Sequence, residues 1–191
     1  MSGPSSQGAP PPSTPVGPRA DGALSPTQVA ELLESTCALL EAEVKALGDD
    51  GCRWHPAPGE WCVNECIGHM IEAEKRGFFG RITRTLEKDR PLEEPWDQIA
   101  VARERSDCER MAMSLFMELM GLRHQSVEMV KALGPDQLDR ACVHGKVGEL
   151  RVRDLLQEWV HHDRNHTKQI LSNVMARVWP HMGNSQKFKG E

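Results

Sequence analysis

The chain has 191 residues, enough for one domain with a packed core and too few for two large ones. Its 39% hydrophobic and 27% charged residues are ordinary for a globular protein, and a net charge of −5 speaks against general nucleic-acid binding, because phosphate neutralisation carries most non-specific affinity. No apolar run reaches the roughly 20 residues of a membrane-spanning helix. The opening MSGPSSQGAPPPSTPVGPRADG lacks an apolar secretory core, so the six cysteines read as reduced thiols of a cytoplasmic protein with no membrane attachment.

In chain order, residues 1–25 are rich in Pro, Ser and Gly, and seven of the 13 prolines fall within the first 26 positions. Such a segment buries too little apolar surface to offset its ordering entropy, which predicts a disordered tail. Ser25-Pro26 reads as an N-cap followed by Pro at the first helical position. Val29, Leu33, Thr36/Cys37, Leu40, Val44 and Leu47 then recur at spacings of three and four, one helical face that stops at Gly48-Asp49-Asp50-Gly51. A Pro/Gly-rich loop containing His55 leads to a second helix from about Val63 to Leu86. Ile67, Met70, Ile71, Phe78 and Ile82 form its core stripe. A second stripe is mostly small, Cys62, Cys66, His69, Ala73, Gly77 and Gly80, suited either to close helix approach or to bordering a cavity.

After a link over about residues 88–105, a third helix is predicted over Ser106 to Leu133 with a seam of Cys108, Ala112, Leu115, Leu119, Leu122, Ser126, Met129 and Leu133. Residues 141–151 alternate weakly around Gly145 and Gly148, the pattern of a small hairpin or extended loop. A fourth helix follows from about Val152 to Val178, and the polar stretch 179–191 is expected to be flexible. The sum is an all-α four-helix bundle over residues 26–178, with the long link permitting a crossover.

The fourth helix holds the strongest chemical signal. Its inward stripe runs Val152, Leu155, Trp159, His162, His166, Gln169/Ile170 and Asn173. His162 and His166 therefore occupy core positions one turn apart, where two imidazoles can chelate one metal. The blander alternative is a pair of hydrogen-bonded core histidines, each needing a donor and an acceptor satisfied. His69, the one large polar group on the small-residue stripe of helix two, can supply a third ligand from across the core. Three neutral imidazoles leave coordination positions open, which suits a reactive ion better than a structural one. His55, His124, His144, His161 and His181 read as ordinary, and Cys62, Cys66 and His69 on one face of helix two form a weaker alternative metal set. Glu72, Glu74 and Asp163 read either as acceptors for an imidazole N–H or as a solvated helix face. Asp97 can reach the mouth of a pocket, and Trp61 and Trp159 read as core anchors.

Two stretches carry a family resemblance. In RWHPAPGEWCVNECIGHMIEAEKRGFFGRITRTL (53–86), Pro58-Gly59-Glu60-Trp61, Glu65, His69 and Glu74 resemble the opening motif of the DinB-like (YfiT-type) metalloprotein superfamily. In ELRVRDLLQEWVHHDRNHTKQIL (149–171), His162-Asp163, His166 and Gln169-Ile170 resemble its closing motif, and DRPLEEPWDQ resembles the loop after its second helix. The resemblance spans about residues 26–178. It implies a four-helix bundle holding one divalent ion, zinc, nickel, iron or manganese, on His69, His162 and His166. It also implies a homodimer, a small-molecule substrate, and either transfer of a low-molecular-weight thiol or metal-dependent hydrolysis. Cys62 stands where Ser often follows the Trp, which weakens the N-cap of helix two. Lys168 stands where related iron oxidases resemble a His-x3-His-x-Glu pattern, which disfavours sulfoxide-synthase chemistry.

Such an ion lowers the pKa of bound water from 15.7 toward about 7, or holds a thiol as its thiolate. The expected function is thus a metal-dependent thiol transferase or hydrolase, the alternative a non-catalytic metal-binding stress or scaffold protein. Metal affinity is expected to fall below about pH 6.5, where free imidazoles protonate.

Overall fold

The computed structural model describes residues 22–188. The expected Pro-rich tail lies outside the described residues up to position 21, as do the last three positions of the expected C-terminal tail.

Helix α1 spans Pro26–Cys52. Ser25 and Gln28 close a reciprocal capping box at its start, with Pro26 at the first helical position. The helix breaks at Gly48, whose φ of 61° is cheap only for glycine, and one further turn ends at Cys52. Helix α2 (Val63–Glu72), a π-helical turn (Ala73–Phe78) and α3 (Phe79–Glu87) follow as one continuous rod. The widened turn brings the Lys75 carbonyl against position 80, where an added Cβ would lie 2.0 Å from that oxygen, so Gly80 is needed there.

The link beyond is more ordered than the sequence pattern indicates. Strand β1 (Leu92–Glu93) precedes a short helix α4 (Gln98–Arg105) capped by Asp97, whose carboxylate accepts from Ile99 and Ala100 N–H. Asp97 is thus a cap on an exposed helix. A 3-10 turn (Asp107–Glu109) and an extended residue at Arg110 separate α4 from α5 (Ala112–Lys131), so the third long helix begins at Ala112 and Cys108 stands outside it. After the short α6 (Pro135–Leu138), strands β2 (Ala141–His144) and β3 (Gly148–Arg151) form the expected hairpin, and β1 joins β2 in parallel to make three strands. Helix α7 spans Val152–Val178, as the periodicity predicts.

The four long helical rods form a bundle in which α1 and α2 each pack on α5 and α7. Helices consecutive in sequence, α1 and α2, therefore sit diagonally. The core divides into two apolar clusters, one around Leu40, Ile67, Leu115 and Ile170, the other around Leu33, Ile82, Val127 and Trp159. Between them lies a buried polar layer of Arg123, Glu74 and Asp163. Glu72 is buried as well, against Arg76 and Arg105. Glu72, Glu74 and Asp163 thus do not belong to a solvated face: each is withdrawn from water because an arginine is there to meet it.

Candidate metal centre

His69 projects from the last turn of α2, His162 and His166 from the middle of α7. His69 Nε2 stands 3.0 Å from His162 Nε2 across 93 positions of sequence. The ring centroid of His166 lies 4.5 Å from each of the other two. One ligand nitrogen from each ring lies within 4.8 Å of the others. Two nitrogens each about 2.1 Å from a shared ion stand roughly 3 to 3.4 Å apart, so the spacing is that of a ligand set.

The protonation chemistry agrees with the geometry. Burial and the adjoining imidazoles, His166 first, hold the His69 pKa down to about 3. Burial and His162 hold that of His166 down to about 4, against a hydrogen bond to Gln169 that favours the charged form. Neutral imidazoles are the metal-binding form. His166 Nδ1 donates to Gln169 Oε1 at 3.1 Å, which fixes its tautomer and leaves Nε2 as the free lone pair. The Nδ1 atoms of His69 and His162 are buried without hydrogen-bond partners. Three clustered lone pairs with so little compensation fit a cation.

Behind His162, Asp163 Oδ1 lies 4.0 Å from its Nδ1. Burial pushes the Asp163 carboxyl up, but Arg123 and His162 outweigh it and its pKa falls below the usual range. Burial raises the pKa of Glu74, against the pull of Arg123, and Trp159 Nε1 donates to this carboxyl at 3.2 Å. The polar layer thereby locks α5, the π turn and α7 together one residue behind the histidines.

The three rings open on a cavity of about 430 Å³. Its walls include Trp61, Trp96 and Phe78, with Ala73 and Gly77 at its border. An added Cβ at Gly77 would meet nothing within 4 Å, so at this position the small-residue stripe borders space and does not admit a neighbouring helix. Trp96 stacks on His69 at 5.7 Å and Phe78 meets His162 edge-on at 5.2 Å. Trp61 is tilted over His69 at 5.2 Å, and its carbonyl accepts from Asn173 Nδ2 of α7. Trp159 is the core anchor expected, and Trp61 both packs against the core and walls the cavity.

Arg81, Glu158 and His144 supply polar lining. Arg81 Nε is 3.8 Å from a Glu93 carboxylate already gripped by Arg84 Nε at 2.8 Å. His144, read from sequence as ordinary, lies on the wall because the hairpin closes over the cavity. Burial and Arg81 lower its pKa, and its Nδ1 accepts from the Lys146 N–H at 3.2 Å. Sequence spacing missed Trp96, Arg81 and His144, because each reaches the site from an element whose docking depends on the tertiary fold. The weaker set of Cys62, Cys66 and His69 does not assemble. Cys66 is buried in the apolar core, and His69 turns to the α7 histidines.

A helical bundle with three converging imidazoles at a cavity defines a class of candidate metalloprotein, and sequence comparison places it further. The model of the DinB superfamily matches residues 32–170, and the chain belongs to that superfamily. A curated relative, the Bacillus subtilis (strain 168) protein named "Uncharacterized protein YuaE", is 24% identical over 142 residues, covering 67% of this chain and 86% of the relative. Among solved structures, YfiT from Bacillus subtilis superposes with a TM-score of 0.75 at 19% identity, over 86% of this chain and 94% of YfiT. YfiT is described as "a probable metal-dependent hydrolase with an unusual four-helix bundle topology".

Proposed function

We propose that this protein is a metal-dependent enzyme in which His69, His162 and His166 hold one divalent first-row ion. Its reaction is nucleophilic displacement on a small molecule, with water or a low-molecular-weight thiol as nucleophile. The observation that supports this reading is the convergence of three imidazoles on an aromatic-walled cavity of about 430 Å³. When bound, the ion supplies a Lewis acid with open positions at which water or a thiol loses its proton near neutral pH. Zinc, nickel, iron and manganese all accept such a donor set.

The chain's own groups do the rest. Trp61, Trp96 and Phe78 hold an apolar substrate body and exclude water. Arg81, only loosely paired, orients an anionic group such as a carboxylate. Glu158, one turn before His162, and His144 handle protons at the cavity, the latter with the proton on Nε2 when neutral. Gln169 keeps His166 in its ligating tautomer. The description of YfiT favours hydrolysis as the first reaction to test.

The test is an assay of metal-loaded protein on ester and amide panels, and on electrophiles with and without an added low-molecular-weight thiol. The proposal expects turnover that His162→Ala abolishes, and a raised KM for anionic substrates in Arg81→Met. Turnover unaffected by His162→Ala would overturn it. Tight metal binding with no turnover in either arm would favour a non-catalytic metal-binding role.

A further inference from the structure

A second group of metal-ligating side chains lies outside the cavity. His55 comes from the loop between α1 and α2, Cys62 from the N-cap of α2, and Cys108 from the 3-10 turn after α4. One ligand atom from each lies within 4.8 Å of the others. Cys108 Sγ is 4.0 Å from His55 Nε2. With Zn–S near 2.3 Å and Zn–N near 2.0–2.1 Å, ligands on one tetrahedral ion stand roughly 3.5–4 Å apart. Glu65 Oε2, on the first turn of α2, is 2.9 Å from His55 Nε2 and accepts the Cys62 N–H at 2.8 Å, so it anchors the His55 ring beside the three donors.

The three segments are held together independently of any ion. Arg53 Nη2 donates to the carbonyls of Glu109 and Arg110 at 3.3 Å each, and Asn64 Nδ2 donates to Arg110 O at 2.9 Å. Cys108 Sγ itself donates to Arg53 O at 3.5 Å. Gly68 lets the turn lie flush on α2, since an added Cβ would fall 1.8 Å from Asp107 Oδ2. The donors are thus preorganised by backbone docking.

We propose that His55, Cys62 and Cys108 form a second zinc site, separate from the three-histidine centre. Two thiolates and an imidazole are a donor set that favours zinc, with one tetrahedral position left for water. On binding, the two thiols release their protons to solvent. The site ties the α1–α2 loop to the crossover turn beside Trp61, and so steadies a wall of the cavity. It also gives a use to the Cys at position 62, where a side-chain oxygen would make the better helix cap.

The experiment uses the full chain, reduced and without a polyhistidine tag, titrated with cobalt(II) and then with zinc. Thiolate-to-cobalt charge-transfer absorption is expected in the wild type and in His162→Ala, because the donors are distinct. Cys108→Ser, with Cys108 only partly buried, should lose that absorption and one zinc equivalent while its circular dichroism stays unchanged. His55→Ala, at an exposed position, serves as the second variant and should weaken zinc binding at the thiolate site. Charge-transfer absorption absent from the wild type, or surviving in Cys108→Ser, would overturn the proposal. So would a Cys62–Cys108 disulfide located by peptide mapping of zinc-loaded protein held under air.

Discussion

Arg123 Nη1 donates to Asp163 Oδ2 at 2.7 Å, with both side chains almost wholly withdrawn from water. Arg123 Nη2 reaches Glu74 at 3.0 Å on its other side, so one guanidinium joins α5 to the π turn and to α7. Asp163 directly follows His162. The layer that splits the apolar core is therefore also the frame behind the candidate metal centre.

Arg123→Met should strand two buried carboxylates. Removing one partner of a buried ionic group costs roughly 3–5 kcal/mol. Urea unfolding of the metal-free protein should show a loss of that order, and a loss under about 1 kcal/mol would show that the carboxyls relax to solvent or neutralise without penalty.

Acid should destabilise the metal-free protein in a defined window. His69 and His166 have pKa values lowered to about 3 and about 4, against about 6.5 in the unfolded chain. Between these limits the unfolded chain binds protons that the folded chain refuses, so stability falls as pH drops from about 6.5 toward 4. From pH 7 to 5 each histidine should remove about 1–2 kcal/mol. Glu118, lowered to about 2 by Lys75 and Arg110 in spite of burial, stabilises above its unfolded pKa and loses that contribution as pH falls below about 4.5. A urea midpoint that stayed flat or rose from pH 7 to 5 would contradict the histidine assignment. The same lowered values shift proton competition for metal at His69 and His166 below the pH 6.5 expected of free imidazoles.

Two glycines should respond oppositely to a methyl group. Gly68→Ala would drive a Cβ into Asp107, which Arg105 and Arg110 hold in place, and should cost about 1–3 kcal/mol. Gly77→Ala meets open cavity, so the thermal midpoint should hold or rise while KM for bulky substrates increases. Equal destabilisation by the two would refute the placement of Gly77 at the cavity border.

His69→Ala should abolish high-affinity binding at the three-histidine centre without altering helical content, because the apolar seams carry the fold. An unfolded far-ultraviolet spectrum for this variant would contradict that division of labour.

Much of this architecture is legible in the chain itself. The steps of three and four through Trp159, His162 and His166 place both histidines inward, and the family motifs bring His69 to them. Arg123 is the instructive omission. Leu115, Leu119, Arg123 and Ser126 keep the same spacing, so the arginine lies on the seam, yet a charge reads as solvent-facing until two buried carboxylates are known to meet it. The π turn leaves almost no trace in sequence beyond Gly80. The parallel pairing of β1 with β2 and the stacking of Trp96 on His69 depend on contacts between remote segments, which local periodicity does not encode.

X-ray absorption on Cys108→Ser protein loaded with one equivalent of zinc tests the metal centre most directly. The account predicts a first shell of nitrogen and oxygen near 2.0–2.1 Å with imidazole multiple scattering from three rings, which His162→Ala reduces. A first shell without imidazole scattering, or one that His162→Ala leaves unchanged, would contradict it.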